Sequence, residues 1–398
     1  MATRVLTGLD VVVSQGMRSL AGKRVALLGH PASVDSRLVH LLDRCLEHRI
    51  QLVRLFGPEH GLLGDAQDMA HVGSHTDKRT GLEVVSLYGP TRESLFLKPE
   101  HLRDVDVVVC DLQDIGTRYY TFAYTIAFAL RACAEAGVKA LVLDRPNPID
   151  GVHVEGNVVD PRFASFVGEY PLAIRHGLTL GELCGFFAAE DKLTVDLEVV
   201  WMQGWERRLG MADVPWVLPS PNMPTVDTAL VYPGACLYEG TNLSEGRGTT
   251  RPFELVGAAY IDDPAHFAAL ATPGLPDGCV LRPCFFRPTF QKHKGELCGG
   301  VQLHVTDRAR FHSTQAGIAI IAAARHFAGF DWRRTEYEYV SDRLAIDLLF
   351  GTDAARSILE GQGTVAVKVQ DILRLFAGEH AGFVEHRRSF LHAGYGEA

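Results

Sequence analysis

Acids, amides, arginines and phenols recur in this chain directly after short apolar runs, and that placement is the first sign of chemistry. The run 52–56 leads into GPEHG, which carries Glu59 and His60, and the run 84–87 leads into Tyr88 and Gly89. The run 105–110 is followed by DLQDIGTRYY, with Asp111, Gln113, Asp114, Arg118, Tyr119 and Tyr120; the run 140–143 is followed by DRPNP, with Asp144, Arg145 and Asn147. Further along, His176 lies in RHGLTLGEL, and the glycine-rich stretch EGTNLSEGRGTT holds Glu239, Asn242, Glu245 and Arg247. Carboxyls beside phenols and guanidinium groups suit acid–base work on a polar or anionic substrate, since a carboxyl moves protons and an arginine fork grips a carboxylate with two hydrogen bonds. Taken singly, Asp111 or Asp144 is as readily a helix cap or a loop tie. Repetition after successive apolar runs is what marks them out.

The elements that must position these groups read as strands at 25–28, 52–56, 84–87, 105–110 and 140–143, separated by helical patterns at 37–48 and 120–136. Alternating strands and helices of this kind predict an α/β fold with a doubly wound, Rossmann-like parallel sheet, in which ligands sit outside the carboxyl ends of the strands. A further strand at 195–202 precedes the proline-rich PWVLPSPNMPT at 215–225, which suits a boundary. Two domains are therefore expected: 1–228, carrying the sheet and the catalytic groups, and 229–398, a smaller α+β domain closing the cleft, with β-like runs at 279–286 and 301–305 and a helix at 314–327. The loop 60–81 is long for a compact domain and is expected to border the site.

Absences narrow the chemistry. No GxGxxG, GxxxxGK[ST] or GxSxG is present, so dinucleotide, nucleotide-phosphate and serine-hydrolase readings lack their parts, and no cofactor is expected. His60, Asp65, Asp68, His71, His75 and Asp77 within 60–77 offer an alternative, a metal-dependent hydrolase, but their spacing matches no fixed ligand motif and reads better as a polar loop. Across 398 residues, 39 Lys+Arg face 48 Asp+Glu for a net charge of −9 with no basic run, which argues against nucleic acid or an anionic membrane as partner. The eight cysteines form no CxxC pair and read as reduced core thiols. The opening MATRVLTGLDVVVSQ has no apolar stretch of signal-peptide length and no run is long enough to span a membrane, so a cytoplasmic protein is expected.

Together PEHG (58–61), SLYG (86–89), DLQDIGTRYYTF (111–122), DRPNP (144–148), SFVG (165–168), RHGLTLGEL (175–183), SPNMPT (220–225) and EGTNLSEGRGTTRPFE (239–254) resemble the exo-β-N-acetylmuramidase family of NamZ type. The likeness runs from TGLD at 7–10 to IDLLFG at 346–351 and on toward the basic stretch beyond it. It implies release of N-acetylmuramic acid from the non-reducing ends of peptidoglycan fragments, in a cleft between a Rossmann-like domain and a C-terminal domain. Many relatives are exported, which this opening sequence does not suggest.

Under that reading Glu59 is the proton donor to the leaving oxygen. The partner is either a tyrosine nucleophile, Tyr88 ahead of Tyr119, or the substrate's own acetamido group oriented by Asp114. Arg118 and Arg247 are candidates for the lactyl carboxylate, with Arg145 adding positive charge nearby. His60, Asp111, Gln113, Asp144, Asn147, His176, Asn242 and Glu245 are candidates for the remaining sugar contacts. A reading from another class, a muropeptide-binding protein without turnover, predicts that Glu59 affects affinity alone.

Overall fold

The computed structural model describes residues 4–64, 66–67 and 73–397. Its main sheet contains β1 (Arg24–Gly29), β2 (Gln51–Gly57), β3 (His75–Thr76), β4 (Glu83–Ser86), β5 (Val107–Asp111) and β6 (Lys139–Leu143). A separate antiparallel pair, β7 (Glu155–Val158) and β8 (Ala173–Arg175), precedes β9 (Leu197–Val200), which rejoins the main sheet. The spatial order is β3-β4-β2-β1-β5-β6-β9, parallel except for the edge strand β3.

The double winding follows from residue alternation. Val25 and Leu27 of β1, Val107 and Val109 of β5, and Leu141 and Leu143 of β6 face α1 (Gly8–Ser14) and α2 (Leu41–Glu47). Their neighbours Ala26, Leu28, Val108, Cys110, Ala140 and Val142 face the opposite way, onto α3 (Phe122–Ala136) and α4 (Leu180–Glu190). With both faces covered, the central strands β1, β5 and β6 are apolar at every position along 25–28, 107–110 and 140–143, as a parallel sheet requires. The expected helix at 37–48 begins four residues late, at Leu41. The Asp35 side chain accepts the backbone N–H groups of Arg37 and Val39, which holds 35–39 as a loop, and Leu38 turns to a left-handed φ of 62° and stands 57% exposed.

The second half opens with α5 (Val226–Ala235) and a three-stranded antiparallel sheet of order β10-β12-β11, formed by β10 (Leu255–Ala258), β11 (Cys279–Phe286) and β12 (Cys298–Val305). Around it lie α6 (Pro264–Ala271), α7 (Ser313–Ala324), α8 (Ala345–Phe350), α9 (Ala354–Glu360) and the long α10 (Val365–Arg387). Helices α5 and α7 touch backbone to backbone at Gly234 and Gly317, where a Cβ on either would collide with a carbonyl of the other helix. Gly317→Ala is therefore expected to cost about 2 kcal/mol through overpacking; an unchanged melting temperature would contradict this close approach.

One apolar core runs through both halves, joining Tyr88, Phe166 and Tyr170 to Tyr232, Ile320 and Phe350. The chain also crosses back. Arg387 at the end of α10 donates to the carbonyls of His176, Gly177 and Val152, His392 stacks on Trp201 at 4.1 Å, and the Tyr395 hydroxyl donates to Asp144 at 2.6 Å. Part of the stretch 229–398 thus flanks the first sheet. No disulfide forms; six of the eight cysteines are buried and two are half-buried. Among the described residues no helix is long and apolar enough to cross a membrane.

Candidate active site

At the end of β2 the chain turns tightly through Gly57–Pro58–Glu59–His60–Gly61, with His60 at φ 66° and Gly61 at φ 80°. A Cβ at Gly57 would meet the Leu62 nitrogen at 2.7 Å, so glycine is what allows the chain to fold over itself here. The turn leaves Glu59 buried at the carboxyl edge of the sheet, where the Thr121 hydroxyl donates to its Oε2 at 2.6 Å. Thr121 stands at the start of α3, directly after the segment that leaves β5. The Phe122 ring meets the edges of Tyr120 at 4.9 Å and His60 at 6.3 Å, and the Tyr120 hydroxyl donates to Ser220 at 3.0 Å.

The opposite wall comes from the second half. Glu239, in the single 3₁₀ turn Cys236–Gly240 after α5, accepts from the Tyr337 hydroxyl at 2.7 Å and pairs with Arg247 at 2.9 Å. The same Arg247 nitrogen lies 2.9 Å from Glu245, whose other oxygen meets Lys292 at 3.1 Å. Burial pushes the Glu245 carboxyl up, but Lys292 and Arg247 outweigh it and hold it down at about 2. Glu245 is thus a fixed anion anchoring Arg247. Glu338, in the loop before α8, accepts from the Tyr88 hydroxyl at 3.2 Å.

These groups enclose a cleft with about 510 Å³ of empty space, part of it open to solvent, lined by Glu59, Glu239 and Glu338 around the single guanidinium of Arg247. Aromatic walls are supplied by Tyr119, Tyr120, Tyr232 and Phe253. Of the residues singled out in the sequence, Glu59, His60, Tyr119, Tyr120, Glu239 and Arg247 line the cleft, and Tyr88 touches it through Glu338.

The other strand-end groups are spent on holding the chain together. Asp111 and Arg145 form a buried bidentate pair at 2.5 and 2.8 Å. Gln113 donates to the carbonyls of Asp114 and Pro146, Asn147 donates to Leu178, and His176 accepts from the Leu178 nitrogen. Asp114 accepts the Gly116 N–H at 2.6 Å and lies 3.5 Å from His176. Asp144 accepts from Thr179, Gly181 and Tyr395 at the start of α4; burial outweighs these donors and pushes its carboxyl up to about 7. Asn242 bonds Tyr260 and the Gly329 carbonyl away from the cleft.

Arg118 departs furthest from expectation. Its guanidinium donates to the carbonyls of Asn157, Leu172, Leu349 and Phe350, fully buried, and faces no cleft. Buried carbonyls need donors, and Arg118 supplies them to β7, the segment before β8 and the end of α8. Positive charge at the cleft therefore rests with Arg247, because Arg118 and Arg145 are turned elsewhere.

Asp65, Asp68 and His71 lie outside the described residues. His75 is exposed, Asp77 accepts from Arg79 and Thr80, and among the described residues no group of three or more His, Cys, Asp or Glu is placed to hold a metal ion. From the same loop Gln67 accepts from Asn222, which lines the cleft. Glu338 and Tyr337 were not among the sequence candidates. EYEYV at 336–340 follows no apolar run, and its only signal is an acid set between two tyrosines.

Two family models match in succession: Exo-beta-N-acetylmuramidase NamZ, N-terminal, over residues 25–227, and Exo-beta-N-acetylmuramidase NamZ, C-terminal, over residues 230–392. The Peptidoglycan beta-N-acetylmuramidase NamZ of Bacillus subtilis (strain 168) is 43% identical over 391 residues, covering 98% of this chain and 91% of that protein. A solved DUF1343 family protein of Bacteroides fragilis NCTC 9343 superposes with a TM-score of 0.85 at 30% identity, covering 98% of both chains. A second from the same organism gives a TM-score of 0.76 at 27% identity, covering 98% of this chain and 99% of the other. Matched along nearly its whole length by both halves of one family, the chain belongs to the NamZ family of exo-β-N-acetylmuramidases.

Proposed function

We propose that this chain is a glycosidase that releases N-acetylmuramic acid from the non-reducing ends of peptidoglycan fragments, with Glu59 as the proton donor. The observation that carries the reading is the cleft itself, where Glu59 shares an aromatic-walled space with Glu239, Glu338 and Arg247 in a chain of this family. Glycoside cleavage needs a proton for the leaving oxygen and negative charge near the anomeric carbon as it becomes cationic. The cleft offers both. Tyrosine and phenylalanine side chains suit the apolar face of a sugar ring, and the Thr121 hydroxyl fixes the Glu59 carboxyl through Oε2.

The lactyl group distinguishes muramic acid from glucosamine, and it is an anion. Three carboxylates around one arginine leave little positive charge in the cleft, so recognition of this anion falls to that arginine. Arg247, fixed from behind by Glu245, is the group that pairs with the lactyl carboxylate. Arg247→Ala is accordingly expected to lose about 1.5–3 kcal/mol of binding to the muramic substrate, roughly 10- to 100-fold in kcat/KM. The preference for an aryl N-acetylmuramide over the matching N-acetylglucosaminide should shrink by that factor, and an unaltered preference would exclude Arg247 from lactyl recognition.

The direct test is incubation with a muramic-acid-terminated disaccharide and detection of free N-acetylmuramic acid. Tight binding without release would instead support a muropeptide-binding protein.

A further inference from the structure

The segment that delivers Glu338 is unusual. Tyr337 and Val340 exchange both backbone hydrogen bonds at 3.0 Å, closing a two-residue turn whose central positions are Glu338 and Tyr339. Both central residues have left-handed backbone, with φ 46° and 66°. Such turns favour Asn-Gly, because a side chain with a Cβ in this conformation costs about 1–2 kcal/mol per residue. A glutamate and a tyrosine occupy them here, and paired strain of this kind collects where a side chain must be aimed.

The turn is bolted to both halves of the molecule. On one side Tyr337 donates to Glu239. On the other, the Tyr339 hydroxyl donates to the Gly89 carbonyl at 3.0 Å, and its ring meets the edge of Tyr88 at 5.9 Å. Between these anchors Glu338 is 5% exposed, lines the same cleft as Glu59, and accepts from the Tyr88 hydroxyl. Burial, then the charge of Glu338 and, more weakly, that of Glu59, push the Tyr339 phenol up, so a single hydroxyl senses both carboxylates. Glu239 pairs with the Arg247 guanidinium and serves as its counter-ion.

Resting on the glycosidase reading above, we propose that Glu338 is the second catalytic carboxylate, facing the anomeric carbon on the side opposite the leaving oxygen, and that Tyr88 is a positioning residue that orients it. As the bond from the anomeric carbon breaks, its electron pair stays with the leaving oxygen, which takes the Glu59 proton. The positive charge left on the anomeric carbon and ring oxygen faces Glu338. Water then adds its hydroxyl to the carbon, and its remaining proton restores Glu59. Tyr88, expected from sequence as a nucleophile, becomes on this proposal a donor to the carboxylate.

The test uses the full chain and an aryl N-acetylmuramide. Glu338→Gln, which keeps the side-chain shape, and Glu338→Ala are expected to lose about 10³-fold or more in kcat with KM within about threefold. Azide filling the space vacated in Glu338→Ala is expected to restore turnover and give the α-configured glycosyl azide, since attack comes from the face opposite the β-linked leaving group. Tyr88→Phe is expected to lower kcat about tenfold and leave KM in place. If the wild-type chain does not release N-acetylmuramic acid, the glycosidase reading fails. If the wild type is active while Glu338→Gln keeps more than a tenth of its kcat, or azide yields the β-configured product, or azide rescues Glu239→Ala instead, the Glu338 assignment is overturned. An unchanged kcat in Tyr88→Phe removes its positioning role.

Discussion

Glu59→Gln is expected to reduce kcat on a natural disaccharide by about 10³-fold while leaving the melting temperature near that of the wild type. General acid catalysis is worth about 10²–10⁴-fold, and glutamine cannot give a proton at any accessible pH. The amide oxygen can still accept from Thr121, so the turn after β2 keeps its tie to the start of α3. The loss should also depend on the leaving group: with a nitrophenyl aglycone, which departs without protonation, much of the rate should remain. A loss equally large for both substrates would mean that Glu59 does something other than protonate the leaving oxygen.

The second large effect concerns stability. Arg118→Met is expected to destabilise the fold by about 3–5 kcal/mol, because a thioether replaces the charged donor of the buried Asn157, Leu172 and Leu349 carbonyls and leaves the Phe350 carbonyl to the Asn157 side chain alone. Burial draws the pKa of Arg118 down, yet an arginine remains charged, and its charge-assisted bonds hold the first half to α8. Denaturant unfolding would show the effect as a lowered midpoint. A midpoint close to that of wild type would mean that water or a backbone shift replaces the lost donors. Had Arg118 been a substrate ligand, the same change would have spared stability and raised KM.

Much of this fold was readable because alternation leaves a record. Val25 to Leu28 and Val107 to Cys110 are apolar at every position, as doubly covered parallel strands must be, and each began within two residues of its expected start. The start of α2 was not, because a single aspartate, Asp35, outcompetes the helix for local N–H groups. Helix α10 went unread, although Val365, Val369, Ile372, Phe376 and Phe383 recur at helical spacing and are buried.

The site was readable only in neighbourhood. Groups at strand ends collected where ligands bind in such sheets, but sequence does not distinguish a carboxylate aimed at a cleft, as Glu59 is, from one consumed by a neighbouring arginine, as Asp111 is. Nor does it say which distant loop will face the sheet. Glu239 and Glu338 come from the second half, and only the folded path puts them opposite Glu59.

The apolar core shared by the two halves bears on how substrate meets the enzyme. Walls built on one continuous interior do not swing apart as lobes on a hinge would, so the acid, the arginine and the phenols stand in working position before any sugar arrives. Little of the binding free energy then goes into assembling the site, and more is left to distinguish the flattened, cationic ring of the transition state from the relaxed chair. Compounds that imitate the former should find their complement already formed.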